Sequence, residues 1–137
     1  MTHPFDTCQL PAEIDAIAPD GSDVRILVRL ESCSLAHFSL PPRQTSVAVR
    51  HRTISEMWYF ISGNGVMWRA RGDREESVDV MRGTAITIPV GTAFQFRSTT
   101  DEPLVAVGVT APPWPGSGEA EVVDASRWPP TVEGGPA

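Results

Sequence analysis

Eleven glycines and thirteen prolines are spread along the 137 residues, and between them no segment keeps a helical period for three turns. The runs they leave are short and alternate apolar with polar residues at every second position. That is the period of a strand with one buried face. "DVRILVRL" (23–30), "SLAHFSL" (34–40), "SVAVRH" (46–51), "EMWYFISG" (56–63) and "VMWRARGD" (66–73) read as strands. "SVDVMRG" (77–83), "TAITIPVG" (84–91), "AFQFRST" (93–99) and "PLVAVGVTA" (103–111) follow. "GNG" at 63–65 is a hairpin signal between the fourth and fifth runs. The one helix candidate is residues 11–17. Nine short strands at close spacing predict an all-β fold, an antiparallel sandwich or barrel.

The length suits one domain, and no internal repeat or linker divides it. Residues 1–111 are read as the barrel with its N-terminal strands. Residues 112–137 are Pro-rich and acidic and are read as a tail on the barrel, with Trp114 and Trp128 packed on its outside and the last few residues disordered. No apolar run is long enough to span a membrane, and "MTHPFDTCQL" has neither the basic start nor the apolar stretch of a secretory signal, so the expectation is a cytoplasmic protein. Cys8 and Cys33 match no metal or redox spacing; both are expected reduced, Cys33 within a strand.

A net charge of −6, with no lysine, argues against a nucleic-acid partner. The charge is uneven. Between residues 43 and 97 eight arginines outnumber five acids, and the negative excess lies at the ends. "RARGDREE" (69–76) reads as an exposed hairpin tip with paired charges. His3 receives no role.

Two stretches carry a family resemblance. His51-x4-Glu56-x6-Gly63 resembles the first motif of the cupins, in which a His-x-His is followed by a glutamate and a glycine. Gly83-x5-Pro89-x-Gly91-x2-Phe94 resembles the second, where the equivalent of Phe94 is normally a histidine. The resemblance implies a small double-stranded β-helix barrel with a pocket in its mouth. It also implies a metal held by three histidines and one glutamate. In this sequence Val49 and Phe94 occupy two of those four positions. His51 and Glu56 remain, with His37 available as a third ligand only if its strand lies beside His51 and points inward. The expectation is therefore no tightly bound metal and no other cofactor.

Strand alternation places Val47, Val49 and His51 inside and Ala48, Arg50 and Arg52 outside. Glu56 has the opposite parity and reaches the interior only through a bend in "RTIS" (52–55). Trp58, Phe60, Ile86, Ile88, Phe94 and Phe96 complete the predicted pocket lining, with His37 as an added candidate. Met57, Tyr59, Ile61, Gln95 and Arg97 point out. An apolar, aromatic pocket with a small polar centre has the character of a small-molecule site.

A buried carboxylate needs a partner, and His51 is the obvious one for Glu56. Such a pair can move a proton near neutral pH, so His51 and Glu56 are the catalytic candidates for an isomerase, epimerase, dehydratase or cyclase acting on a small organic molecule. Two alternatives stand beside it: a non-catalytic ligand-binding domain, and a metal-dependent enzyme whose ligands are His51, Glu56 and His37. The resemblance further implies a homodimer, paired through an edge strand or by exchange of an N-terminal strand; the outward apolar residues Met57, Tyr59 and Ile61 fit either that interface or a second packed layer.

Overall fold

The computed structural model describes residues 4–136, so His3 lies outside the described residues. Among these residues there is no helix. The strands are β1 (Ala16–Ile17), β2 (Asp23–Arg29), β3 (Ser34–Leu40), β4 (Val49–His51), β5 (Ser55–Ser62), β6 (Asn64–Arg71), β7 (Arg74–Met81), β8 (Ala85–Ile88), β9 (Ala93–Ser98), β10 (Leu104–Ala111) and β11 (Ala120–Val122). They form two antiparallel sheets, in the orders β1-β2-β3-β10-β5-β8 and β11-β4-β9-β6-β7. Consecutive strands of the sequence are often partners across the sandwich rather than within a sheet. The nine runs read from alternation correspond to β2 through β10.

The helix expected at residues 11–17 is absent. Arg25 explains why: its guanidinium donates to the carbonyls of Pro11 and Ala12, and Asp15 accepts from the amide of Ile26. These bonds hold the segment extended along β2, and it ends in the short strand β1. Cys33 lies in the connection between β2 and β3 rather than within a strand, and both cysteines are free thiols.

The core is aromatic. Trp58 sits among four rings, with centroids 5.0 Å from Phe38, 5.1 Å from Phe96, 5.8 Å from Phe94 and 6.1 Å from Phe60. The stacked pair of Phe38 and Trp58 comes from β3 and β5, which both flank β10. The residue between them is Gly108. A Cβ there would stand 2.8 Å from both Phe38 Cε2 and Trp58 Cδ1. The missing side chain is what lets the two rings meet across the middle strand.

The outer faces divide. Met57 and Tyr59 are 60% and 50% exposed, as expected of outward residues. Ala48 and Gln95, also expected outside, are buried, because the C-terminal tail covers their face of the second sheet. Ala48, Trp68 and Ala93 pack against Val123 and Trp128. The Gln95 amide donates to the carbonyls of Ser46 and Trp128 and accepts from the amide of Trp128. Arg97 lies over the Trp128 ring at 4.5 Å. Towards the end of the tail, the amide of Gly135 donates to Ala18 O at 2.8 Å, and Ala137 lies outside the described residues. At the hairpin tip, Arg69 pairs with Glu76.

Gly108→Ala forces the stacked rings apart. The expected outcome is a loss of about 1–3 kcal/mol in urea denaturation, with the indole fluorescence of Trp58 shifted; unchanged stability would show that the rings have room to spare.

Candidate functional site

His51 ends β4 and Glu56 is the second residue of β5. In an unbroken strand, positions five apart face opposite ways. The bend between them, at residues 52–54, removes that conflict. Glu119, from the tail, holds the bend: its carboxylate accepts from the amides of Thr53 and Ile54 and from the Thr53 hydroxyl, and its carbonyl accepts from the amide of Arg52. Burial pushes the Glu119 carboxyl up, but these hydrogen bonds outweigh it and hold its pKa below the ordinary value. With the chain turned in this way, Nε2 of His51 lies 3.0 Å from Oε2 of Glu56, both side chains being buried. Burial, the largest influence, disfavours the charged imidazole. The bond to Glu56 and the negative charges of Glu56, Asp20 and Glu119 together exceed it, so the His51 pKa is raised. The other ring nitrogen, Nδ1, is buried with no partner among the described residues, and the imidazole lies with its centroid 5.3 Å from those of both Phe94 and Trp114.

The pair lies in the wall of a cavity of about 170 Å³. An apolar cavity of about 150 Å³ holds a benzene ring, so this one suits a molecule of about one ring. Of the predicted lining, Val49, His51, Glu56 and Trp58 face it. Phe60, Ile86, Ile88, Phe94 and Phe96 do not. They are interior, but they pack on one another and fill the barrel below, with Val47 against them. The open space is therefore displaced towards the N-terminal strands, where Ala18, Val24, Ala36 and Phe38 supply the opposite wall.

Three contributors were not foreseen. Trp114, expected on the barrel's outside, lines the cavity instead; its amide donates to Ser34 Oγ, which in turn bonds Thr110 Oγ1. Asp20 lies in the turn before β2, its carboxylate accepting from the amide and hydroxyl of Ser22. Glu119 is the third. "PDGS" (19–22) does signal a turn, but nothing local in the sequence says that the turn faces His51.

The donors do not fit a metal ion. Val49 and Phe94 offer none, and Phe94 is fully buried in the core. The two remaining donors are bonded to each other. His37 cannot complete the set. On β3 it alternates with Ala36 and Phe38, which face inward, so it points to the outer side of the other sheet. Its pKa is lowered, by burial first and then by the charge of Arg25. Among the described residues no three His, Cys, Asp or Glu converge as a metal-holding group.

A two-sheet barrel with a partly apolar cavity at one end defines the class: a small-molecule-sized pocket in an antiparallel β-barrel. The cupin domain family model matches residues 36–110, and the chain belongs to the cupin family. No curated protein matches it. Among solved structures, oxalate decarboxylase from Bacillus subtilis is similar with a TM-score of 0.67 at 18% identity, over 80% of this chain and 29% of that one. A protein from Bacillus halodurans is similar at 0.61 and 21% identity, over 85% and 78% of the two chains. Drosophila melanogaster CENP-C bound to CAL1 is similar at 0.62 and 16% identity, over 71% and 76%. At these identities the likeness is one of fold. No helix among the described residues is long and apolar enough to cross a membrane.

Glu119→Gln weakens the hold on the bend, with an expected loss of about 1–3 kcal/mol at neutral pH. Because the folded pKa of Glu119 is depressed, its contribution is present above the ordinary 4.5 and is lost as pH falls through the lower folded value. The stability difference between wild type and Glu119→Gln, measured by urea titration, therefore shrinks in acid. A difference that stays constant down through that range would contradict the assignment.

Proposed function

We propose that this cupin acts on a small, uncharged, mainly apolar organic molecule by proton transfer at the His51–Glu56 pair, as an isomerase- or lyase-type enzyme. The observation that carries this reading is the buried 3.0 Å contact between the two side chains in the wall of a largely apolar cavity. An imidazole whose pKa is raised above the ordinary 6.5 holds its proton to higher pH than a free one. Its carboxylate partner shares the proton, and the rings of Phe38, Trp58 and Trp114 keep water from the ligand. Chemistry that removes one proton and returns another needs no more than this.

The fold likeness supports neither catalysis nor its absence. One similar structure is oxalate decarboxylase, an enzyme by its name, and another is CENP-C bound to CAL1. A second reading, a ligand-binding domain without turnover, draws on the shortage of polar groups in the cavity wall.

Screening one-ring compounds for turnover, with His51→Ala and Glu56→Gln alongside wild type, separates the two. The proton-transfer reading expects each variant to lose about 10²-fold or more of the rate. A compound that binds in the cavity and is recovered unchanged after days favours the binding domain. Full turnover in His51→Ala removes the pair from the mechanism.

A further inference from the structure

Besides the pair, two more ionisable groups line the cavity: Asp20, which is buried, and Arg29 at the end of β2, which is exposed. Its turn is fixed from both sides. The Asp20 carbonyl accepts from the amide of Val47, and the neighbouring Gly21 holds a positive φ of 92° against which Val132 of the tail packs. Oδ1 of Asp20 takes both bonds from Ser22, at 2.8 Å and 2.6 Å. Among the described residues Oδ2 has no partner. On Glu56, Oε2 is held by His51 and Oε1 likewise has no partner. His51 presents its Nε2 to Glu56, and its Nδ1 is buried with no partner among the described residues. Asp20 and Glu56 thus each bring one open carboxyl oxygen to the cavity wall, in unlike surroundings. Glu56 has an imidazole against it. Asp20 has only the hydroxyl and amide of Ser22, and no cation pairs with it among the described residues.

Burial, the dominant influence, raises the Asp20 pKa, and the charge of Glu56 adds to this; the Ser22 bonds and His51 pull it back only in part. The Asp20 carboxyl therefore holds its proton to higher pH than a free one. With Oδ1 filled by two donors, the proton belongs on Oδ2. The cavity wall thus offers a proton donor on Asp20 and an open acceptor oxygen on Glu56.

We propose that Asp20 is the second proton-transfer group of the cavity: its Oδ2–H donates to the carbonyl oxygen of a one-ring, uncharged ketone while Glu56 takes the proton from the adjacent carbon. The inference rests on the proton-transfer reading and adds the substrate class and the acid. In the first step the C–H bond breaks, its electron pair forms the C=C of a dienol, and the carbonyl oxygen gains the Asp20 proton. In the second, Glu56 returns its proton to the far carbon of the diene and the enol O–H proton goes back to Asp20. The carbonyl re-forms, the double bond has moved into conjugation with it, and both carboxyls are restored. No oxidant, reductant or co-reactant is required.

The probe is cyclohex-3-en-1-one, whose conversion to cyclohex-2-en-1-one is followed by ultraviolet absorbance. Wild-type protein is expected to convert it, and Asp20→Asn to lose about 10²-fold or more in kcat with little change in KM. Because Asp20 must be protonated, the rate falls as pH rises through its pKa. Ser22→Ala removes a bond that lowers that pKa, so the fall moves to higher pH, a shift that a merely structural role would not produce. If Asp20→Asn does not fold, the Ser22→Ala pH profile decides alone. No conversion by wild type overturns the ketone assignment. Conversion lost in Glu56→Gln but kept in Asp20→Asn, or a pH profile unmoved by Ser22→Ala, overturns the role of Asp20 and leaves the proton-transfer reading standing. Conversion kept in both Glu56→Gln and Asp20→Asn overturns both.

Discussion

The hold of Glu119 on the bend at Thr53 and Ile54 decides which way Glu56 points. Without the bend, strand parity sends Glu56 to the outside while His51 stays within, and the two would not meet. Three donors close on one carboxylate to make the turn. The tail that supplies Glu119 also supplies Trp114 over His51 and Val132 against the turn that carries Asp20. A segment that looks like an appendage by composition therefore packs around three of the cavity's ionisable groups, His51, Glu56 and Asp20.

The aromatic core does complementary work. Phe60, Phe94 and Phe96 fill the barrel below Trp58, and in doing so they occupy the space where a cupin metal site would need a histidine. What remains open is an apolar space bounded by the N-terminal strands. There, low polarity strengthens each charge–charge interaction and penalises any charge left alone. His51 and Glu56 satisfy each other, whereas Asp20 is held only by a neutral serine. The two shifts therefore have different causes: hydrogen bonding to Glu56 and nearby negative charge raise the His51 pKa, and burial raises that of Asp20.

Much of the fold was legible. Alternation between Gly and Pro marks gave β2 through β10, and the two motifs identified the barrel, because both signals are local. The inward set at Val49, His51, Trp58, Phe60, Phe94 and Phe96 followed from parity, as did the need for a bend before Glu56. The failures share one cause, contacts from distant parts of the chain. Arg25 keeps residues 11–17 extended; the tail buries Ala48 and Gln95; Trp114 folds over the mouth rather than around the outside. Which interior residues pack and which face the cavity could not be read from parity, since parity assigns a side and not a depth. Asp20 carries no local mark beyond a turn.

Throughout, the chemistry assigned to the cavity depends on His51 and Glu56 being one coupled, buried pair. Titration of the His51 imidazole by 15N and 1H magnetic resonance tests this most directly, with His37 as an internal comparison whose pKa is shifted the other way. The account predicts that His51 titrates above the ordinary 6.5, that its neutral form carries the proton on Nε2, and that Glu56→Gln brings the value down. A His51 that titrates at or below 6.5, or that carries its neutral-form proton on Nδ1, would contradict it.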